Sequence, residues 1–231
     1  MDLLSIIIPA KNEEESIVET IENIVEKFEN NIEYEILIIN DYSDDNTELI
    51  IARLSLEYPQ VNYSKNTNKR GVGNAIKYGI EKSKGNIISI CMADGSDSPL
   101  DILNSYHYIL EEQFDCVFGS RFIKDAIVVN YPIVKKVLNR LFNQLVKIVT
   151  KNDYNDFTNL FKVYKKEVID SISPLSSDGF SIGLEMSLKT FKAGYKVKII
   201  PISWCQRKAG KSKLKLYNNI KVYFQTFIRN T

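Results

Sequence analysis

Short unbroken apolar runs alternate with stretches of helical period through the first half of the chain. Leu3–Pro9, Tyr34–Ile39 and Ile87–Met92 lack the in-and-out alternation of a half-exposed strand. Such runs predict strands covered on both faces, as in a parallel sheet. Val61–Ser64 and Cys116–Gly119 predict two more strands. Between them Ile17, Ile21, Ile24, Val25 and Phe28 recur at helical spacing, with Asn12 as the expected cap and Glu13, Glu14 and Glu15 in the first turn. Thr47–Tyr58, Val72–Ser83 (stopped by Gly85) and Pro99–Glu112 predict further helices. This strand–helix succession argues for an α/β domain with a mostly parallel central sheet flanked by helices.

The second half is patterned differently. Pro132–Val149 carries Ile133, Val134, Val137, Leu138, Leu141, Leu145 and Val149 on one face, flanked by Lys135, Lys136, Arg140 and Lys147. Phe157–Val163 predicts a strand across the sheet edge, Ile182–Ala193 a helix, Lys196–Pro201 a strand and Leu214–Arg229 a second amphipathic helix. Each stripe suits either a protein core or the headgroup region of a membrane.

Composition narrows the picture modestly. A chain of 231 residues, 44% hydrophobic and with net charge +1, suits one large domain and gives no sign of nucleic-acid binding. Residues 207 to 215 are locally basic, holding Arg207, Lys208, Lys211, Lys213 and Lys215 with no acid. Cys91, Cys116 and Cys205 are far apart and read as reduced core residues, pointing to a cytoplasmic setting. The apolar start lacks a basic leader, and no run approaches the roughly 20 apolar residues of a spanning helix. Membrane contact is therefore expected to be peripheral.

The candidate chemistry lies where apolar runs end in acids. Ile87–Met92 leads into Ala93-Asp94-Gly95-Ser96-Asp97-Ser98-Pro99, and Ile36–Ile39 into Asn40-Asp41-Tyr42-Ser43-Asp44-Asp45. Open α/β sheets bind ligands at the C-terminal ends of their strands. Carboxylates there suit a hard divalent cation, and such a cation suits a diphosphate. Two acidic strand ends thus point to a nucleotide-diphosphate site. The plainer alternative for Asp97 and Ser98 is a helix cap before Pro99, and for Asp41 a local turn. His107, the sole histidine, reads as structural.

Seven motifs in order resemble family 2 inverting glycosyltransferases with the GT-A fold, within them the dolichol-phosphate mannosyltransferases and other polyprenyl-phosphate glycosyltransferases. They are Ser5–Glu13; Asn40–Thr47; Arg70-Gly71-Val72-Gly73-Asn74-Ala75; Met92-Ala93-Asp94; Gly119-Ser120-Arg121-Phe122; Asn155-Asp156-Phe157-Thr158 with Phe161-Lys162; and Arg207–Lys213. The chain departs from the pattern at Met92 and Asn40, each in place of an Asp, at Tyr42 in place of Gly, and at Lys162 in place of Arg.

The resemblance implies a metal-dependent transferase moving a sugar from a nucleotide diphosphate to a polyprenyl (dolichyl or undecaprenyl) phosphate. Asp94, assisted by Ser96 and Asp97, would hold Mg²⁺ or Mn²⁺. Pro9, Ala10, Asn12, Glu13 and Asp41 would line the nucleotide pocket, and Arg70 and Gly71 a turn near the donor. Arg121 would reach a phosphate. Arg207, Ser212 and Lys213 would close over the diphosphate. Asp156 would face the acceptor, as general base toward a hydroxyl or as an orienting group toward a phosphate. Lys135 and Arg140 would bind a lipid phosphate. Residues 1–213 would form the transferase domain, with a donor half to about residue 120 and an acceptor half beyond; residues 214–231 would form a C-terminal helix. The alternatives are a soluble enzyme acting on a saccharide hydroxyl in surface-polysaccharide synthesis and a non-catalytic nucleotide-sugar-binding domain.

Overall fold

The computed structural model describes residues 2–29, 31–206 and 216–231. A seven-stranded sheet runs in the order β3-β2-β1-β4-β7-β5-β8. Its strands are β1 (Leu4–Ala10), β2 (Tyr34–Asn40), β3 (Val61–Lys65), β4 (Ile87–Ile90), β5 (Cys116–Ser120), β7 (Lys162–Lys165) and β8 (Val197–Pro201). Every residue of β1 is buried, as its unbroken apolar run requires. Side chains alternate across the sheet, so Ile6 and Ile8 join one core while Ile7 joins the other. The first core is closed by α1 (Ile17–Phe28), α2 (Thr47–Glu57) and α4 (Pro99–Glu111). The second is closed by α3 (Val72–Lys82), α6 (Lys166–Ile172) and α7 (Ile182–Lys192), with Phe227 of α8 (Leu216–Asn230).

The structure corrects two elements. Helix α1 begins at Ile17, not at the expected cap Asn12, which has a left-handed φ of 49°. Residues 12–14 instead bond across to the loop after β2: Asn12 donates its N–H to Ser43 Oγ at 3.0 Å and Glu13 its N–H to Thr47 Oγ1 at 2.8 Å. The strand expected at a sheet edge is β7, which lies inside the sheet and antiparallel to both β4 and β5. An antiparallel strand starts where its parallel neighbours end. Residues 156–161, just before β7, therefore meet the C-terminal ends of β4 and β5, where an open α/β sheet places its ligands.

A small parallel pair, β6 (Ile127–Val129) and β9 (Ser203–Cys205), covers that edge. Helix α5 (Ile133–Thr150) flanks it. The apolar stripe of α5 faces outward: Ile133 is 80% exposed, Leu141 64% and Ile148 65%. Along this helix Asn143 and Val146 are the buried residues. Core packing of the stripe, one of the two expected readings, is thereby excluded. Among the described residues no helix is long and apolar enough to cross a membrane.

Candidate active site

Asp41, at the end of β2, is 4% exposed. Its carboxylate accepts from Gly71 N at 3.1 and 3.0 Å and from Asn66 Nδ2 at 2.8 Å. Its own N–H donates to Ala10 O at 2.7 Å. Asp41 thus pins the ends of β1 and β2 to the start of α3, and Pro9 and Ala10 are buried in the same seam. The glycine turn packs closely against a neighbouring loop. A side chain at Gly71 would meet Asp178 O at 2.3 Å, and one at Gly73 would meet Ser177 O at 2.4 Å. The close approach these glycines permit is to the protein's own 177–179 loop; Arg70 beside them is exposed. Glu185 accepts from Ser176 N at 2.8 Å and Ser177 N at 2.7 Å and pairs with Lys189 at 3.0 Å, holding the base of that loop.

The loop after β4 is built around two carboxylates. Asp94 Oδ1 accepts from Ser96 N at 3.2 Å, and Asp97 Oδ2 from Met92 N at 2.9 Å. Ser98 caps α4, with Asp101 N donating to its Oγ at 3.4 Å. Asp97 is not that cap; it is buried at the head of the loop and forms a backbone bridge with Trp204. Burial, with the negative charge of Asp94 adding to it, pushes the Asp97 carboxyl up to about 7.

Arg121 follows β5 and meets Asp156 head-on. Nε donates to Oδ2 at 2.8 Å, Nη2 to Oδ1 at 2.8 Å and the Arg121 N–H to Oδ2 at 3.0 Å. Asp156 is fully buried. Burial works against the Arg121 charge, but the carboxylate outweighs it and holds the guanidinium protonated more firmly than usual. Removing one partner of such a pair strands a buried charge and costs about 3–5 kcal/mol. The rings of Phe122, Tyr131 and Trp204 surround the guanidinium carbon at 5.5, 5.3 and 5.6 Å. One expectation changes here: Asp156 is held bidentately by Arg121 and has no exposed oxygen with which to act as a base.

One cavity of about 480 Å³ gathers these parts. Glu13, Asp94, Ser96, Asp97, Arg121 and Lys135 line its polar end. Leu138, Leu141, Phe142 and Leu145 of α5, with Ile220 and Phe224 of α8, give it an apolar wall. Burial and the neighbouring Arg121 charge lower the Lys135 ammonium, while Asp94 raises it. Lys135 therefore lies within electrostatic reach of both.

Residues 5–173 match the family model described as glycosyl transferase family 2. The chain belongs to that family. Over 214 residues it is 28% identical to a dolichol-phosphate mannosyltransferase of Pyrococcus furiosus, covering 92% of this chain and 59% of that protein. Glycosyltransferase AglD of Haloferax volcanii is 24% identical over 221 residues, covering 94% of this chain and 35% of that one. A polyprenol monophosphomannose synthase of Mycolicibacterium smegmatis is 26% identical over 196 residues, covering 82% and 74%. The chain thus spans 59% and 35% of the lengths of the first two. Glucosyl-3-phosphoglycerate synthase from Mycobacterium tuberculosis, solved with Mn²⁺, UDP and glucosyl-3-phosphoglycerate, superposes with a TM-score of 0.77 at 14% identity, covering 99% of this chain and 80% of that one. Its fold is the fold of this chain, GT-A.

Against this family 2 frame, the cavity unites six of the expected site residues. Pro9, Ala10, Asn12, Asp41, Arg70, Gly71, Asp156 and Arg140 do not line it. Arg140 packs against Phe122, its guanidinium carbon 5.6 Å from the ring. Arg207, Ser212 and Lys213 lie outside the described residues. His107 of α4 lies 3.2 Å from Glu111 and does not line the cavity. Cys91, Cys116 and Cys205 are free thiols, and Cys205 is half-buried, not a core residue. Sequence reasoning missed Tyr131, Trp204 and Asn139. Trp204, the sole tryptophan, stands three residues before the basic run and was the one legible signal.

Proposed function

We propose that this family 2 chain transfers a sugar from a nucleotide diphosphate to a polyprenyl phosphate. The observation that carries the reading is one cavity lined by three acids, Glu13, Asp94 and Asp97, two cations, Arg121 and Lys135, and apolar side chains of α5 and α8. The acids suit the donor's diphosphate through a cation. The cations suit an acceptor phosphate. The apolar wall suits the first isoprene units. Two relatives, a dolichol-phosphate mannosyltransferase and a polyprenol monophosphomannose synthase, support the same acceptor class.

The donor set also suits a divalent metal. Among the described residues no three His, Cys, Asp or Glu side chains gather closely enough to hold an ion by themselves. Asp94, with Asp97 and Ser96 beside it, offers hard oxygens, and Mg²⁺ or Mn²⁺ readily completes its sphere with phosphate and water oxygens. When bound there, the ion neutralises charge that develops on the leaving diphosphate. Arg207 and Lys213 would add positive charge over that diphosphate, and Ser212 a hydroxyl donor. Arg121, fixed by Asp156 and walled by aromatic rings, and Lys135 would orient the acceptor phosphate.

A phosphate nucleophile is already anionic and needs no base. A saccharide hydroxyl would need one, and the expected candidate, Asp156, is buried with both oxygens on Arg121. This favours the lipid phosphate over the saccharide. The outward apolar stripe of α5, with Lys136, Arg140 and Lys147 around it, would rest on the membrane that holds such an acceptor. A thermal-shift panel of nucleotide sugars, with and without Mn²⁺, tests the donor half. One donor should raise the melting temperature in a metal-dependent way. No response to any nucleotide sugar would defeat the reading.

A further inference from the structure

Helix α5 has an unusual inner face: many of its apolar side chains are exposed, while Asn143 is fully buried and Asn139 half-buried beside it. A polar group placed inside costs free energy unless it is paired, and these are paired with each other and with two neighbours. Asn139 Nδ2 donates to the Tyr131 hydroxyl at 2.9 Å, and Thr158 Oγ1 donates to Asn139 Oδ1 at 3.0 Å. Asn143 Nδ2 donates to Asn139 O at 3.0 Å, to Asn139 Oδ1 and to Thr158 Oγ1 at 3.1 Å. Thr158 N donates to Asn143 Oδ1 at 3.2 Å.

Both ends of this network reach Arg121. The Tyr131 ring lies 5.3 Å from the guanidinium carbon, and Thr158 stands two residues after Asp156, the carboxylate that holds the guanidinium. Asn139, Thr158, Tyr131 and Arg121 all line the cavity. Two apolar residues in place of the asparagines would attach α5 to the domain without the cost of burying amides. What the amides add is direction: Asn139 holds the Tyr131 hydroxyl on one side and the Thr158 hydroxyl on the other, while Asn143 takes the Thr158 backbone N–H. We infer that Asn139 is a positioning residue that sets the orientation of Arg121 toward the acceptor end of the cavity. This rests on the acceptor reading above.

The test uses the full chain and the variants Asn139→Leu, Tyr131→Phe and the double change. Turnover with a short-chain polyprenyl phosphate is read beside the emission and acrylamide quenching of Trp204. This sole tryptophan lies with its ring 4.9 Å from Tyr131. Misorientation of a positioned group costs on the order of tenfold to a hundredfold in rate, so each single variant should lose about tenfold in turnover. The donor-induced thermal shift should be unchanged, Trp204 should become more quenchable, and the double variant should be no worse than Asn139→Leu. Tyr131→Phe removes one oxygen only and guards against a variant that merely misfolds. A lower melting temperature with wild-type turnover and quenching, or losses that add in the double variant, would overturn the inference. If the wild-type chain moves no sugar to the lipid phosphate, the acceptor reading fails by itself. Trp204 quenching then still decides the positioning claim: matched changes in the two single variants sustain it, and unchanged quenching overturns it.

Discussion

Asp94 carries the most specific residue-scale prediction. It stands at the cavity's acidic end, so Asp94→Ala should abolish the metal-dependent donor shift and transfer, with the melting temperature without ligand close to wild type. Retention of either activity would remove Asp94 from the donor site. Lys162 gives a second prediction through pH. Burial drives this ammonium down to about 7; Phe157 O accepts from it at 3.5 Å, and the Phe118 and Tyr154 rings stand 5.4 and 5.8 Å away. Between that value and the ordinary lysine range the unfolded chain binds more protons than the folded one, so stability rises with pH. From pH 7 to pH 9 the wild-type chain should gain stability relative to Lys162→Met, by at most about 1.4 kcal/mol per pH unit. Parallel curves for the two proteins in chemical denaturation would show that Lys162 stays charged in the fold. Asp94 was legible because an apolar run ends in it. The seclusion of Asp156 was not, because its partner Arg121 is 35 positions away and burial arises only when β7 enters the sheet.

At the scale of elements, strands covered on both faces were readable, since an unbroken run such as Ser5-Ile6-Ile7-Ile8 admits little else. The place of β7 was not readable, because four residues of strand carry no information on which neighbours they join. For α5 the period fixed which residues share a face but not which face meets solvent. The aromatic contacts of Phe142 with Tyr223, Phe224 and Phe227 anchor α8 beside it, leaving the apolar stripe outward. The stripe with its basic flanks should bind anionic vesicles in flotation, more strongly at low than at moderate salt. Leu141→Glu with Ile148→Glu, both at exposed positions, should lower that binding without lowering the melting temperature. Equal flotation of the variant would place membrane contact elsewhere, and no flotation of the wild-type chain would exclude it.

For the molecule as a whole, the arrangement is a sheet whose C-terminal edge supplies charge and two helices that supply an apolar wall. On the proposed reading, a donor diphosphate and a lipid phosphate would share one cavity, lined by acids, cations and the apolar side chains of both helices. Asp156, the carboxylate expected on the acceptor side, is buried with both oxygens on Arg121, which is why the proposed nucleophile is one that needs no base. The direct measurement is a competition assay: the donor found by thermal shift, labelled in its sugar, is supplied with Mn²⁺, a short-chain polyprenyl phosphate and a saccharide acceptor together. The label should appear in the lipid phase as a glycosyl phosphate, dependent on metal and on Asp94. Label recovered in the saccharide, or only as free sugar, would contradict the proposed acceptor.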